Sequence, residues 1–249
     1  MARTYAEILS RVRFDPAAPI TEDKIYLSVG GSNVLATSGN FICFAGLPKT
    51  GKSTFISAII ASWAGNREVF TFKAFNHGRK LAIFDTEQTP YDFHRTIKRI
   101  KKLAKTPDVF SLIDAYLVRE YGANEILGII NQYLKENAGK TGMVVIDGIL
   151  DCLNSFNDES ESKKLIRLLK RWAAIHDCCI VTILHTSKQS GNTLGHYGSM
   201  SDRYAQSTLT IEKTKNGSFV CAPKMLRSAA DFSQVEIMFS EKNQTFEQI

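Results

Sequence analysis

Residues 41–54 read Phe41-Ile-Cys-Phe-Ala-Gly-Leu-Pro-Lys-Thr-Gly-Lys-Ser-Thr54, and the fold turns on this stretch. Phe41 to Ala45 is an apolar run, short enough for a buried strand and too short for a typical helix. Gly46-x-x-x-x-Gly51-Lys52-Ser53 then fits the phosphate-binding loop pattern at every fixed position. Phe55 to Trp63 follows, apolar and free of Gly and Pro, as a buried helix would be. Gly46 and Gly51 let the backbone turn so that successive N–H groups point at one phosphate chain. The helix N-terminus adds its partial positive charge at the same place. Lys52 can reach the β- and γ-phosphates, and the Ser53 hydroxyl can ligate Mg²⁺. The expected cradle is Gly46, Lys49, Thr50, Gly51, Lys52, Ser53 and Thr54. The bland alternative, a Gly-rich turn that happens to carry Lys-Ser, leaves the strand before it and the helix after it unexplained.

A chain of 249 residues suffices for one large domain or two small ones. Its 44% hydrophobic and 22% charged residues are those of an ordinary globular protein. The net charge of +6 suggests a polyanionic partner, although many proteins this basic bind no nucleic acid. Cys43, Cys152, Cys178, Cys179 and Cys221 are odd in number and include no Cys-x-x-Cys pair. Three lie in apolar strand-like runs, so they read as reduced core residues of a cytoplasmic protein. The first residues lack the apolar core of a signal peptide. No apolar run approaches the roughly 18 residues needed to cross a bilayer.

Along the chain, Tyr5 to Val12 reads as a short helix, and Ile25 to Val29 and Val34 to Thr37 as strands around a Gly30-Gly31 turn. Residues 1–38 are expected as an extension packed on a single core domain, residues 39–249. Lys80 to Glu87 is an apolar run ending on two carboxylates. In a parallel sheet the C-terminal strand ends face the ligand crevice, so Glu87 is well placed to polarise an attacking water. The alternative for Glu87 is a solvated turn residue. Tyr91 to Ala104 is a basic amphipathic helix (Arg95, Lys98, Arg99, Lys101, Lys102), either a DNA-facing patch or a solvated face. Val109 to Leu117 reads as a strand and Ala123 to Asn137 as a helix.

Met143 to Asp147 is an apolar strand ending in a carboxylate, expected beside the phosphate loop and on the metal side. Asn157 to Ser162 reads as an acidic loop before a helix at Lys163 to His176. Cys178 to Leu184 is a strand ending in His185, which is either a sensor of the γ-phosphate or a satisfied structural group. Gln189 to Met200 has the Gly-rich composition of a mobile loop. From Ser207 the pattern changes to hairpins, with Asn216-Gly217 as a strong turn. The expected fold is α/β: a mainly parallel central sheet between helical layers, extended by antiparallel C-terminal hairpins.

Together these motifs resemble the RecA-like ATPases, and most closely the branch holding plasmid RepA-type hexameric helicases, DnaB-type helicase cores, RadA and KaiC. Residues 46–54 are similar to that group's phosphate loop, Ile83 to Glu87 to its second strand, and Val144 to Asp147 to its metal-side strand. Leu184-His-Thr-Ser-Lys188 resembles the His-x-Ser-Lys segment of RepA-type proteins. The resemblance spans about Gly39 to Phe239. It implies ATP and Mg²⁺ as cofactors, with Lys52, Glu87 and His185 catalytic and Ser53 and Asp147 at the metal. It implies DNA contacts at Lys188, Ser199 and Arg203, and a homo-oligomeric ring, a hexamer in that family. Members commonly carry a Lys-x-Arg finger acting on a neighbour's γ-phosphate. The candidates here, Lys224 and Arg227, are one residue further apart.

Three functions are compatible with this pattern. One is a single-stranded-DNA-dependent ATPase or helicase serving a plasmid, phage or other mobile element. Another is a regulatory or assembly ATPase of the same class acting on a protein partner. The most distant is a P-loop kinase, against which a strand-end Glu and the lack of an arginine-rich lid both speak.

Overall fold

The computed structural model describes residues 4–155, 157–186 and 195–249. After helix α1 (Tyr5–Val12) come strands β1 (Ile25–Val29), β2 (Asn33–Thr37) and β3 (Phe41–Gly46), helix α2 (Lys52–Gly65), and strands β4 (Phe72–Ala74) and β5 (Lys80–Asp85). Next are α3 (Pro90–Ala104), β6 (Ile113–Leu117), α4 (Ala123–Glu136), β7 (Thr141–Asp147), a 3-10 turn (Ile149–Cys152), α5 (Glu159–His176) and β8 (Cys179–His185). Helix α6 (Gly195–Tyr204) leads into β9 (Ser207–Lys213), β10 (Phe219–Leu226), β11 (Val235–Ser240) and β12 (Thr245–Gln248).

Among the described residues, nine strands form one sheet in the order β12-β11-β10-β9-β3-β8-β7-β5-β6. The six from β9 to β6 run parallel, and β9 to β12 pair antiparallel. The expected α/β architecture is present. Strand β3 is buried on both faces, which is why it lacks polar alternation. Its Ile42 and Phe44 join the core formed with α2 and α3, while Phe41, Cys43 and Ala45 join the core formed with α4, α5 and α6. All five cysteines are buried and unpaired.

The small sheet β2-β1-β4 contributes its buried apolar residues to the core formed with α2 and α3. Tyr26 packs its ring on Trp63 and donates its hydroxyl to the Asp177 carbonyl at 2.9 Å. Tyr26 to Val29 are buried, whereas residues 4–25 are exposed throughout, the apolar residues of α1 included.

Several boundaries differ from the sequence reading. Strand β6 starts at Ile113 because Asp108 closes a turn before it, accepting from the Ser111 N–H. Helix α5 starts at Glu159, inside the segment read as a loop, because Asp158 caps it by accepting from the Glu161 N–H at 2.9 Å. Helix α6 occupies part of the segment read as a mobile loop. Buried Tyr197 and Met200, one turn apart, anchor it despite its glycines. Residues 189–194 of that predicted loop lie outside the described residues. Pro223 does not interrupt β10, since β11 pairs only with residues 219–221 and no ladder bond is lost on that side. Strand β4, three residues long, carries too short a pattern to be seen in sequence.

Candidate active site

The phosphate loop joins the end of β3 to the start of α2. Gly51 caps α2 at φ 91°, a conformation that favours glycine, and its carbonyl accepts from the N–H groups of Thr54 and Phe55. A side chain there would also strike Phe219, since a Cβ would lie 2.5 Å from that ring. The β9–β10 hairpin thus rests on the phosphate loop. Thr50 donates its hydroxyl to the Leu47 carbonyl at 2.7 Å, and Lys49 sits at the exposed tip with φ 65°. Lys52 is buried and folds back, its Nζ donating to the carbonyls of Gly46 and Leu47 at 2.9 and 2.7 Å. Burial lowers its pKa, while the charges of Glu87 and Asp147 oppose that shift.

Opposite Lys52 stand three carboxylates. Asp85 and Asp147 are register partners across β5 and β7. Asp85 is buried and accepts from the N–H groups of Glu87 and Gln88 at 3.0 and 2.7 Å, fixing the turn that leads to Glu87. Burial raises its pKa, against the pull of those bonds. Asp147 is pushed up to about 7, by burial first and then by the charges of Asp85 and Glu87. Glu87 Oε1 and His185 Nε2 are 2.8 Å apart. That hydrogen bond, with the ring nitrogen donating, is the main cause of a lowered Glu87 pKa. His185 Nδ1 is buried with no hydrogen-bond partner among the described residues.

Asp147 does not lie on the strand adjacent to the phosphate loop, as the sequence reading placed it. Strand β8 pairs with β3 and stands between it and β7. His185, on β8, therefore sits between the loop and the carboxylates.

A brace that sequence reading missed supports this wall. Thr86 Oγ1 lies 2.6 Å from Asp151 Oδ2, and the Thr86 N–H donates to the Asp147 carbonyl at 3.0 Å. Gly148 has φ 94°, and any side chain there would clash with Thr86. The available signal was the Gly directly after a strand-end Asp. Neither the Thr86–Asp151 pairing nor Phe219 over Gly51 leaves a local pattern.

These groups fit a nucleoside triphosphate with a divalent cation. A cavity of about 550 Å³, within the range of small-ligand sites, is lined by Gly46 to Thr50, Thr186 and Thr210 to Lys213. A smaller one is lined by Ser53, Asp85, Gln88 and Asp147. Among the described residues, no three metal-ligating side chains are placed to hold a metal ion by themselves. A cation here would take Ser53 and Asp147 and depend on phosphate oxygens and water for the rest, which is how Mg²⁺ is usually held.

The remaining candidates lie on other elements. Lys224 and Arg227 are held against α6 by Asp202 and the Arg203 carbonyl, not against the phosphate loop. Ser199 and Arg203 are exposed on α6, and Lys188 lies outside the described residues. On α3, Arg95, Lys98, Lys101 and Lys102 face solvent. Arg99 instead turns inward, 3.4 Å from the Thr54 hydroxyl. No helix among the described residues is long and apolar enough to cross a membrane.

A family model described as an AAA domain matches residues 33–191, well over half of the chain and including every element of this site up to His185. No curated protein matches the sequence. Among solved structures, one ATPase domain superposes with a TM-score of 0.60 over 85% of this chain and 86% of that one, at 14% identity. The RadB recombinase superposes with a TM-score of 0.59 over 85% of this chain and 91% of that one, at 13% identity. At such identities the superpositions establish the fold. The chain belongs to the AAA-domain family, as a P-loop NTPase of RecA-like fold.

Proposed function

We propose that the chain is an ATP- and Mg²⁺-dependent motor, stimulated by single-stranded DNA, that works as a homo-oligomeric ring, a hexamer by resemblance. Its setting would be the replication or mobilisation of a plasmid, phage or other mobile element. The observation that carries this reading is the Glu87–His185 hydrogen bond, which ties the carboxylate on the β5 side to β8, the strand that leads toward α6. Lys52 leaves the carbonyls of its own loop to meet the β- and γ-phosphates, and the N–H groups of the loop hold the phosphate chain. Ser53 and Asp147 would hold Mg²⁺, which would supply charge neutralisation on the triphosphate. Glu87 orients the attacking water and takes its proton, and His185 follows the γ-phosphate through its bond to Glu87. Ser199 and Arg203 on α6, with Lys188, contact the DNA backbone. The same fold serves the solved ATPase domain and the RadB recombinase. A regulatory or assembly role acting on a protein would use the same site without DNA.

Hydrolysis of ATP with and without oligothymidylate tests this, with Glu87→Gln as control. Stimulation by the oligonucleotide, abolished in Glu87→Gln, is the expected result. Hydrolysis indifferent to DNA yet lost in Glu87→Gln would keep the site and remove DNA as the partner.

A further inference from the structure

The pairing of β10 with β9 slips by one residue, Pro223 lying opposite Leu209 and Met225 opposite Thr208. On a regular strand, side chains three positions apart point to opposite faces. The inserted residue turns Lys224 and Arg227 to the same face, as a β-bulge does. Both reach α6. Lys224 Nζ donates to Asp202 Oδ2 at 2.8 Å, and Arg227 Nη2 donates to the Arg203 carbonyl at 2.6 Å. The bulge thereby absorbs the extra residue that separates this pair from a Lys-x-Arg spacing.

The Lys224–Asp202 pair is largely enclosed, its side chains 27% and 19% exposed. Beneath α6, Thr182, Cys43 and Thr208 are register partners across β8, β3 and β9. The side chains of Tyr197 and Ser201 lie over this polar row. Besides the buried Tyr197 and Met200 that anchor it, α6 is tied to β10 by Lys224 and Arg227.

We propose that Asp202 withholds Lys224 from the nucleotide of a neighbouring copy until α6 shifts, so that DNA contact at Ser199 and Arg203 releases the cation into hydrolysis. This rests on the proposed DNA-stimulated ring. One ammonium group cannot sit fully against both the Asp202 carboxylate and a phosphate of another subunit, so the two acceptors compete for it. Asp202 is then a positioning residue acting through Lys224.

The test is ATP hydrolysis by the full chain with and without oligothymidylate. Asp202→Asn is expected to raise the DNA-independent rate about fivefold, the scale of one such ion pair, and to reduce stimulation by the same factor. Affinity for oligothymidylate rises by about the same factor, because DNA no longer has to break the pair, and Asp202→Glu restores wild-type behaviour. In the double variant, Lys224→Ala erases the gain. Asp202→Ser gives the same reading should the asparagine variant not fold. An unchanged DNA-independent rate in a folded Asp202 variant, or a gain that persists beside Lys224→Ala, overturns the proposal. Mixing Lys52→Ala subunits with Lys224→Ala subunits tests the reading beneath it separately. Recovered hydrolysis supports action of Lys224 across subunits, and no recovery removes that premise whatever Asp202 does.

Discussion

Glu87 is oriented from two directions: Asp85 accepts its backbone N–H, and His185 binds its carboxylate. Chain position alone made Glu87, Asp147 and His185 visible, because each closes or follows an apolar strand whose C-terminal end faces the crevice. The residues that aim them were not visible, since Asp151 reaches Thr86 only after β5 and β7 pair. Replacing Glu87 with Gln should lower the hydrolytic rate by about 10²- to 10⁴-fold, the usual contribution of a positioned base. Nucleotide affinity, measured by titration of a fluorescent ATP analogue, should be retained. Gly148→Ala should cost about 1–3 kcal/mol in denaturant unfolding, through both the left-handed backbone and the clash with Thr86. Wild-type stability in that variant would mean the turn relaxes freely and braces nothing.

Element by element, the strongly periodic segments were legible to within a few residues, α2, α3, α4 and β7 among them. Errors fell where a cap or a distant contact overrides composition, as at α5 and α6. Capping gives one direct check. Thr89 accepts from the Asp92 N–H at the start of α3. Thr89→Ala should cost about 1 kcal/mol, a fall of about 2–4 °C in Tm for a domain this size.

The tie between β1 and the core gives another. Asp177 accepts from Arg79 at 2.8 Å and pairs with Lys24, which precedes β1. Burial raises its pKa, but the bonds and charges of Lys24 and Arg79 outweigh this and hold it below the ordinary carboxylate range. A depressed carboxylate stabilises the fold above its unfolded pKa and loses that effect as pH falls through its folded value. Asp177→Asn should therefore melt below wild type at neutral pH, with the gap closing in acid. A gap independent of pH would assign the effect to packing.

Over the whole molecule, the parallel sheet brings the ends of β3, β5, β7 and β8 together, so one edge carries the loop, the carboxylates and His185. The change from alternating strands and helices to consecutive hairpins was enough to read this architecture. The contact of the β9–β10 hairpin with Gly51 was not, because Phe219 carries no local sign of what it covers. The net charge of +6 gains significance only if DNA is the partner. The rate of ATP hydrolysis with oligothymidylate, followed from about 50 to 200 mM salt, tests that most directly. Stimulation strong at low salt and fading steeply across the series is the expected result. A rate unaffected by the oligonucleotide at the lowest salt would contradict it.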